Sequence, residues 1–199
     1  MKKKKNKGFS LAREYAQSWK YVKESKKFIY TAIGLFFFFV LVGYFIPAPK
    51  FLYDTIMDFI KQIIEQTSGM SQLELIKFII SNNVESTFIG ILSGIVFGIF
   101  PVISVMANGY MLGFVSLMSV KADGFLTLWR LFPHGIFELP AIFISLGLGI
   151  KMGTFIFQKK KLKSFADYFI KSLKVFLLII IPLLIIAGII EGTLIALTK

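Results

Sequence analysis

The chain has 199 residues, 56% of them hydrophobic, with a mean hydropathy of +0.74 and only 17% charged residues. A soluble domain of this size cannot bury that much apolar surface, so the composition excludes one and points to a single integral membrane domain. Cysteine is absent, which removes disulfides, thiolate metal sites and thiol nucleophiles. The net charge of +12 does not follow a nucleic-acid footprint, because 16 of the 23 basic residues lie in Met1 to Lys27 and Gln158 to Lys174, as in cytoplasmic flanks of membrane spans.

Residues 1–27 read as a basic, cytoplasmic amphipathic segment. Lys2 to Lys5 and Lys7 are expected to be drawn to anionic lipid of the cytoplasmic leaflet. Behind them Ala12, Tyr15, Ala16, Trp19 and Val22 recur at helical spacing, with Arg13, Lys20 and Lys23 elsewhere on the wheel, which suits a helix lying in the interface. The aromatics fall on the apolar face rather than among the lysines, so no nucleic-acid partner is expected.

Residues 28–199 read as one helical membrane domain. Its first span, about 28–46, is uncharged and ends at Pro47-Ala48-Pro49, which offers no signal-peptide cleavage site. A helix over about 50–66 follows. It places Leu52, Ile56, Phe59, Ile60 and Ile63 on one face, is too polar to span, and should lie at the outer interface or cap the bundle. Thr67-Ser68-Gly69 marks a turn.

The stretch Ser86 to Val120 carries no charge and, at about 1.5 Å per residue, would be roughly 50 Å long as one helix, too long for a hydrocarbon core about 30 Å thick. It must therefore fold back on itself. Pro101 is the expected break and Asn108-Gly109 a second turn-prone point, giving a glycine-rich hairpin with arms over about 79–100 and 102–120. Gly90, Gly94 and Gly98 line one arm and Gly109 and Gly113 the other. Such strips allow close backbone approach in lipid and could also support a homodimer. The fourth span is expected over about 135–157, opening after Pro133 and closing near Lys151, whose side chain can snorkel to the basic loop. A short interfacial helix around Phe165, Tyr168 and Phe169 precedes the fifth span, about 175–197, with Pro182 as a kink.

Both basic segments should be cytoplasmic, which requires an even number of crossings between them. Spans one to four satisfy this, and the C-terminus is then outside. No internal repeat or inverted symmetry is evident.

On this topology Asn82, Asn83 and Glu85 open the second span, His134 and Glu138 the fourth, and Glu191 lies near the end of the fifth, so all six are expected at the outer edge. A carboxylate within a span costs on the order of 3 kcal/mol, so Glu138 and Glu191 should face the bundle. The cluster can be an interhelical hydrogen-bond network, a proton or ion path, or a divalent-metal site using His134 and Glu138 with Glu85 or Glu191. No serine elbow, phosphate loop or zinc-protease motif is present, so neither catalysis nor a cofactor is expected.

Asn108-Gly109 with Gly113, the block Pro133-His134-Gly135-x-x-Glu138 and a last span ending Ile185-Ile186-Ala187-Gly188-Ile189-Ile190-Glu191 together resemble the stage II sporulation protein M family. The resemblance runs from about Asn82 to the C-terminus. It implies a non-catalytic scaffold or assembly subunit, serving in spore formers as a membrane partner of cell-wall-remodelling proteins outside the membrane during engulfment. The alternative on the residues alone is a small transporter or channel using the His, Glu and Asn cluster.

Overall fold

The computed structural model describes residues 10–198, apart from the side chains of residues 130–134 and 198. Lys2 to Lys5 and Lys7 thus lie outside the described residues, as does the side chain of His134. The protein is all-α. Among the described residues five helices are long and apolar enough to cross a membrane, over Lys26–Phe45, Gln72–Ile95, Ile99–Asp123, Gly135–Phe157 and Lys161–Leu197.

In chain order, α1 (Leu11–Glu24) and α2 (Lys26–Phe45) are separated only by Ser25, and α3 (Lys50–Thr67) is the amphipathic helix after the first span. Next come α4 (Gln72–Leu92), prolonged by a tight turn over Ser93–Ile95, and α5 (Ile99–Asp123). A further tight turn over Phe125–Leu131 leads to α6 (Phe132–Gly153), and the chain finishes with α7 (Lys161–Val175) and α8 (Ile181–Thr198).

The bundle is organised around α6, which packs against α2, α4 and α8. Ala141, Phe143, Ile144, Leu146, Leu148 and Met152 are all buried along it. Its glycines explain why it takes the middle. A Cβ on Gly149 would collide with the backbone of Gly90 and lie 2.8 Å from Pro101 Cγ, one on Gly153 would collide with the backbone at Gly98, and one on Gly147 would lie 2.8 Å from Ile29 Cα. Three helices therefore approach α6 at backbone distance, the packing mode available where lipid removes any hydrophobic drive between helices.

The hairpin is present, but its reversal falls earlier than Pro101. Phe97 and Gly98 both adopt left-handed conformations, with φ of 53° and 71°, and they end the first arm. At Phe97 this costs about 1 kcal/mol, whereas glycine accepts it freely. Pro101 sits buried in the first turn of α5, where its missing N–H has no helical partner to serve. Asn108-Gly109 makes no turn either. Asn108 donates from Nδ2 to the Ser104 carbonyl at 2.8 Å in mid-helix, since in lipid the helix must satisfy its own backbone and that requirement overrides local turn propensity.

The glycine strips of the two arms do not meet each other. Gly90, Gly94 and Gly98 pack on α6, whereas Gly109 and Gly113 pack against the α2 backbone at Phe36 and Val40. Gly43 of α2 returns the contact at Tyr110. The strips are therefore used up inside one chain, and the sequence argument for a homodimer through them falls.

The first arm begins at Gln72 instead of near residue 79. Ser71 and Glu74 form a reciprocal cap, with Ser71 N–H donating to Glu74 Oε2 at 2.8 Å and Glu74 N–H donating to Ser71 Oγ at 3.4 Å. The added turns bury Leu75 and bring Ile76 and Ile80 against Gly192 and Gly188 of α8. The fifth span is likewise longer, because α7 runs into α8 through a π-turn over Phe176–Ile180. That wide turn lies just before Pro182, where it relieves the clash of the proline ring with the preceding carbonyls.

Candidate functional site

The two basic segments share one end of the bundle, where α1 packs on α7. Glu14 of α1 pairs with Lys174 of α7, and Lys171 donates to Asp167 at 2.7 Å. The opposite end gathers the start of α4, the start of α6 and the last turns of α8.

At that far end Glu138 and Glu191 are both half-buried and close enough for their charges to act on each other. Their elements explain the meeting. Gly188 and Gly192 let α8 settle onto α4, with a Cβ at either position falling 2.5 and 2.6 Å from Ile80 and Ile76, and Gln72 Nε2 reaches Thr193 Oγ1 at 3.1 Å. Among the described residues Gly135 makes no such contact, and a Cβ there would come no closer than 3.8 Å, to Leu139 Cδ1.

Asn82, Asn83 and Glu85 do not join them. Because α4 starts at Gln72, Glu85 lies roughly 20 Å along its axis, about midway along the span Gln72–Ile95. Asn82 and Glu85 are exposed on the side of the bundle. The Asn83 carbonyl accepts from Thr87 Oγ1 at 2.6 Å. Among the described residues no three histidines, aspartates or glutamates gather into a group that could hold a metal ion.

The basic end holds a group the sequence reading placed in the wrong setting. Lys151 does not snorkel outward; it is only 8% exposed. Its Nζ donates to Ser25 Oγ at 2.9 Å and lies 3.9 Å from the centre of the Tyr21 ring and 5.5 Å from that of Tyr168. Ser25 in turn donates to the Tyr21 carbonyl at 2.7 Å. The reason is α1, which crosses the end of α6 and closes over the ammonium, while a cation above tyrosine faces gains about 2 kcal/mol when desolvated. Burial also holds the Tyr21 hydroxyl well above its usual range. The available signal was a single lysine in the apolar run from Pro140 to Phe157, with tyrosines in both flanking amphipathic segments.

A comparison with known families decides the relationship. The Stage II sporulation protein M profile matches residues 32–194. The chain belongs to this family. Two proteins of Methanocaldococcus jannaschii are similar to this chain. Uncharacterized protein MJ0706 is 33% identical over 175 residues, covering 83% of this chain and 76% of its own length. Uncharacterized protein MJ0793 is 32% identical over 120 residues, covering 57% of this chain and 66% of its own. No solved structure matches. The chain is thus a multi-pass membrane protein of the stage II sporulation protein M family.

Proposed function

We propose that this protein is a non-catalytic membrane scaffold that presents its far end to protein partners outside the membrane, with the basic end cytoplasmic. The observation that carries this reading is α3. Ile56 is its one buried residue, while Phe51, Phe59 and Ile64 are exposed, so an amphipathic helix of 18 residues is held to the bundle at few points, among them the edge-on contact of Tyr53 with Phe114. Leu52, Ile56, Ile60 and Ile63 are buried or half-buried, and the apolar side chains that α3 leaves uncovered around them suit either headgroups or a docked protein. The filled centre around α6 supports a supporting role over a conducting one. In a spore-forming cell the partners would be cell-wall-remodelling proteins; elsewhere the same surface would serve other assemblies.

Photo-reactive residues in place of Phe51 and Phe59, introduced in living cells, should give discrete protein adducts, while the same residue at Phe38 on α2 should not. Adducts with lipid alone at all three positions would refute the reading. Single cysteines at Ser68 and Lys163 should label from opposite sides of the membrane, and labelling of both from outside would refute the orientation.

A second reading has its own observation. Two carboxyl groups whose charges act on each other in an apolar end are costly unless a proton or cation resolves their repulsion, and such pairs serve ion paths. Reconstituted protein that carried an ion flux abolished by Glu138→Gln would establish this reading and displace the scaffold.

A further inference from the structure

The least apolar of the five spans is α4 with its tight turn, yet much of its surface faces away from the bundle. The exposed residues include Ser81, Asn82, Glu85, Ser86 and Ile89, which recur at helical spacing on one face. Glu85 lies 13 residues after Gln72 and 10 before Ile95, so it sits close to the middle of a hydrocarbon core about 30 Å thick. Neither Asn82 nor Glu85 makes a side-chain hydrogen bond or ion pair among the described residues.

Asn108 provides the contrast, since it is exposed on α5 but donates to its own helix at Ser104. On α4 the Ser86 hydroxyl likewise donates to its own helix, at the Asn83 carbonyl at 3.3 Å, whereas Asn82 and Glu85 are left open. Beside Glu85 runs a groove of about 470 Å³ between α4 and the fifth-span helix, floored by Phe88 and Phe176, whose ring centres are 5.0 Å apart.

Lipid tails can neither donate nor accept, so a carboxyl and a carboxamide at this depth must meet protein in the working assembly. The stripe matches itself. Asn82 and Ser81 each donate and accept, and Glu85 accepts from either of them. A copy related by a two-fold axis along the membrane normal brings the same groups to the same depth, while the groove takes an apolar side chain from the facing helix.

We propose that this face of α4, centred on Asn82 and Glu85, is the contact surface for a second copy of this chain. The dimer does not use the glycine strips, which are closed inside each bundle, and it leaves α3 and the far end free.

The absence of native cysteine makes the test direct. Ser81→Cys and Ile89→Cys, each alone in native membranes, should form disulfide-linked dimers under mild oxidation at least fivefold more than Phe38→Cys on α2 or Ile103→Cys on α5, which are also exposed. In proteoliposomes at low protein density, single-molecule photobleaching of labelled native chain should show mainly two steps. The double variant Asn82→Leu with Glu85→Leu, which suits a lipid-facing helix and should stay monodisperse in detergent, should weaken association at least tenfold. One-step bleaching of the native chain, equal cross-linking at the control positions, a cross-linked product containing a different protein, or a double variant as dimeric as the native chain would each overturn the proposal.

Discussion

The two ends of the bundle solve one problem in opposite ways. Each holds an ionisable group of α6, Lys151 at the basic end and Glu138 at the far end. At the basic end the chain folds a whole helix back over the charge, so that Tyr21, Ser25 and Tyr168 enclose the ammonium, and the Glu14–Lys174 pair fastens α1 in place. At the far end the carboxyl lies within reach of the charge of a second carboxyl, Glu191, and α3 is held to the bundle only loosely. A closed end fixes the architecture, and an end left half open is available to act.

The sharpest way to break this contrast is at the glycines. A Cβ on Gly153, at the basic end, would strike the backbone at Phe97 and Gly98, which cannot move without shifting the helix reversal. On Gly188, towards the far end, it would meet first the side-chain Cγ1 of Ile80, with no backbone atom nearer than 3.4 Å. Gly153→Ala should therefore destabilise the protein by about 3 kcal/mol and Gly188→Ala by about 1 kcal/mol, within the usual range for overpacking. Reversible denaturation in mixed micelles measures both, and equal losses would mean the two ends are equally rigid.

A second test takes the closure apart. Tyr21→Leu keeps the apolar bulk against α7 but removes the ring face over Lys151, and should cost about 2 kcal/mol, the scale of a desolvated cation–π contact. Lys151→Met should cost less, because replacing a buried charge by an apolar group of similar length is often neutral. If the two residues act together, the double variant should be less destabilised than the sum of the single ones. Strict additivity would show that Tyr21 acts by packing alone.

Much of this contrast was legible in the sequence. Five spans, the amphipathic helices and a hairpin after Ser86 follow from charge-free runs and helical periodicity, because the thickness of a membrane fixes how long an apolar helix can be. The positions of the breaks were harder to read. Pro101 and Asn108-Gly109 are turn signals in water, but in lipid the backbone must satisfy itself, so Asn108 stays helical and the reversal falls at Phe97 and Gly98. The start of α4 has a larger consequence, since the Ser71–Glu74 cap lengthens the helix and puts Asn82 and Glu85 near its middle instead of in its first turns. Which helix each glycine strip faces, and that α1 would cover Lys151, depend on tertiary packing that periodicity does not encode.

The Tyr21 hydroxyl gives a pH test of the closed end. Its folded-state value is raised by burial, so the stability it contributes is fully present below about 10, the ordinary value for tyrosine, and is lost as pH rises above it. Thermal stability in detergent should therefore be flat across neutral pH and fall in strong alkali, and the fall should be shallower in Tyr21→Phe. An identical alkaline fall in that variant would place the sensitive group elsewhere.

The smallest expected effect lies at the far end. Removing one charge of a repelling pair relieves the other, so Glu138→Gln should change stability by less than about 1 kcal/mol and should not lower it at neutral pH. Once that carboxyl is gone a second substitution, Glu191→Gln, has no repulsion left to remove, so the double variant should be no more stable than Glu138→Gln alone. A carboxyl pair that held the helices together through a shared hydrogen bond would behave oppositely, with each single substitution destabilising and the losses coupled. The sign of the single-variant change, read by denaturation at neutral pH, therefore separates a far end held by its acids from one that merely tolerates them, and only the second fits an end kept free to meet a partner.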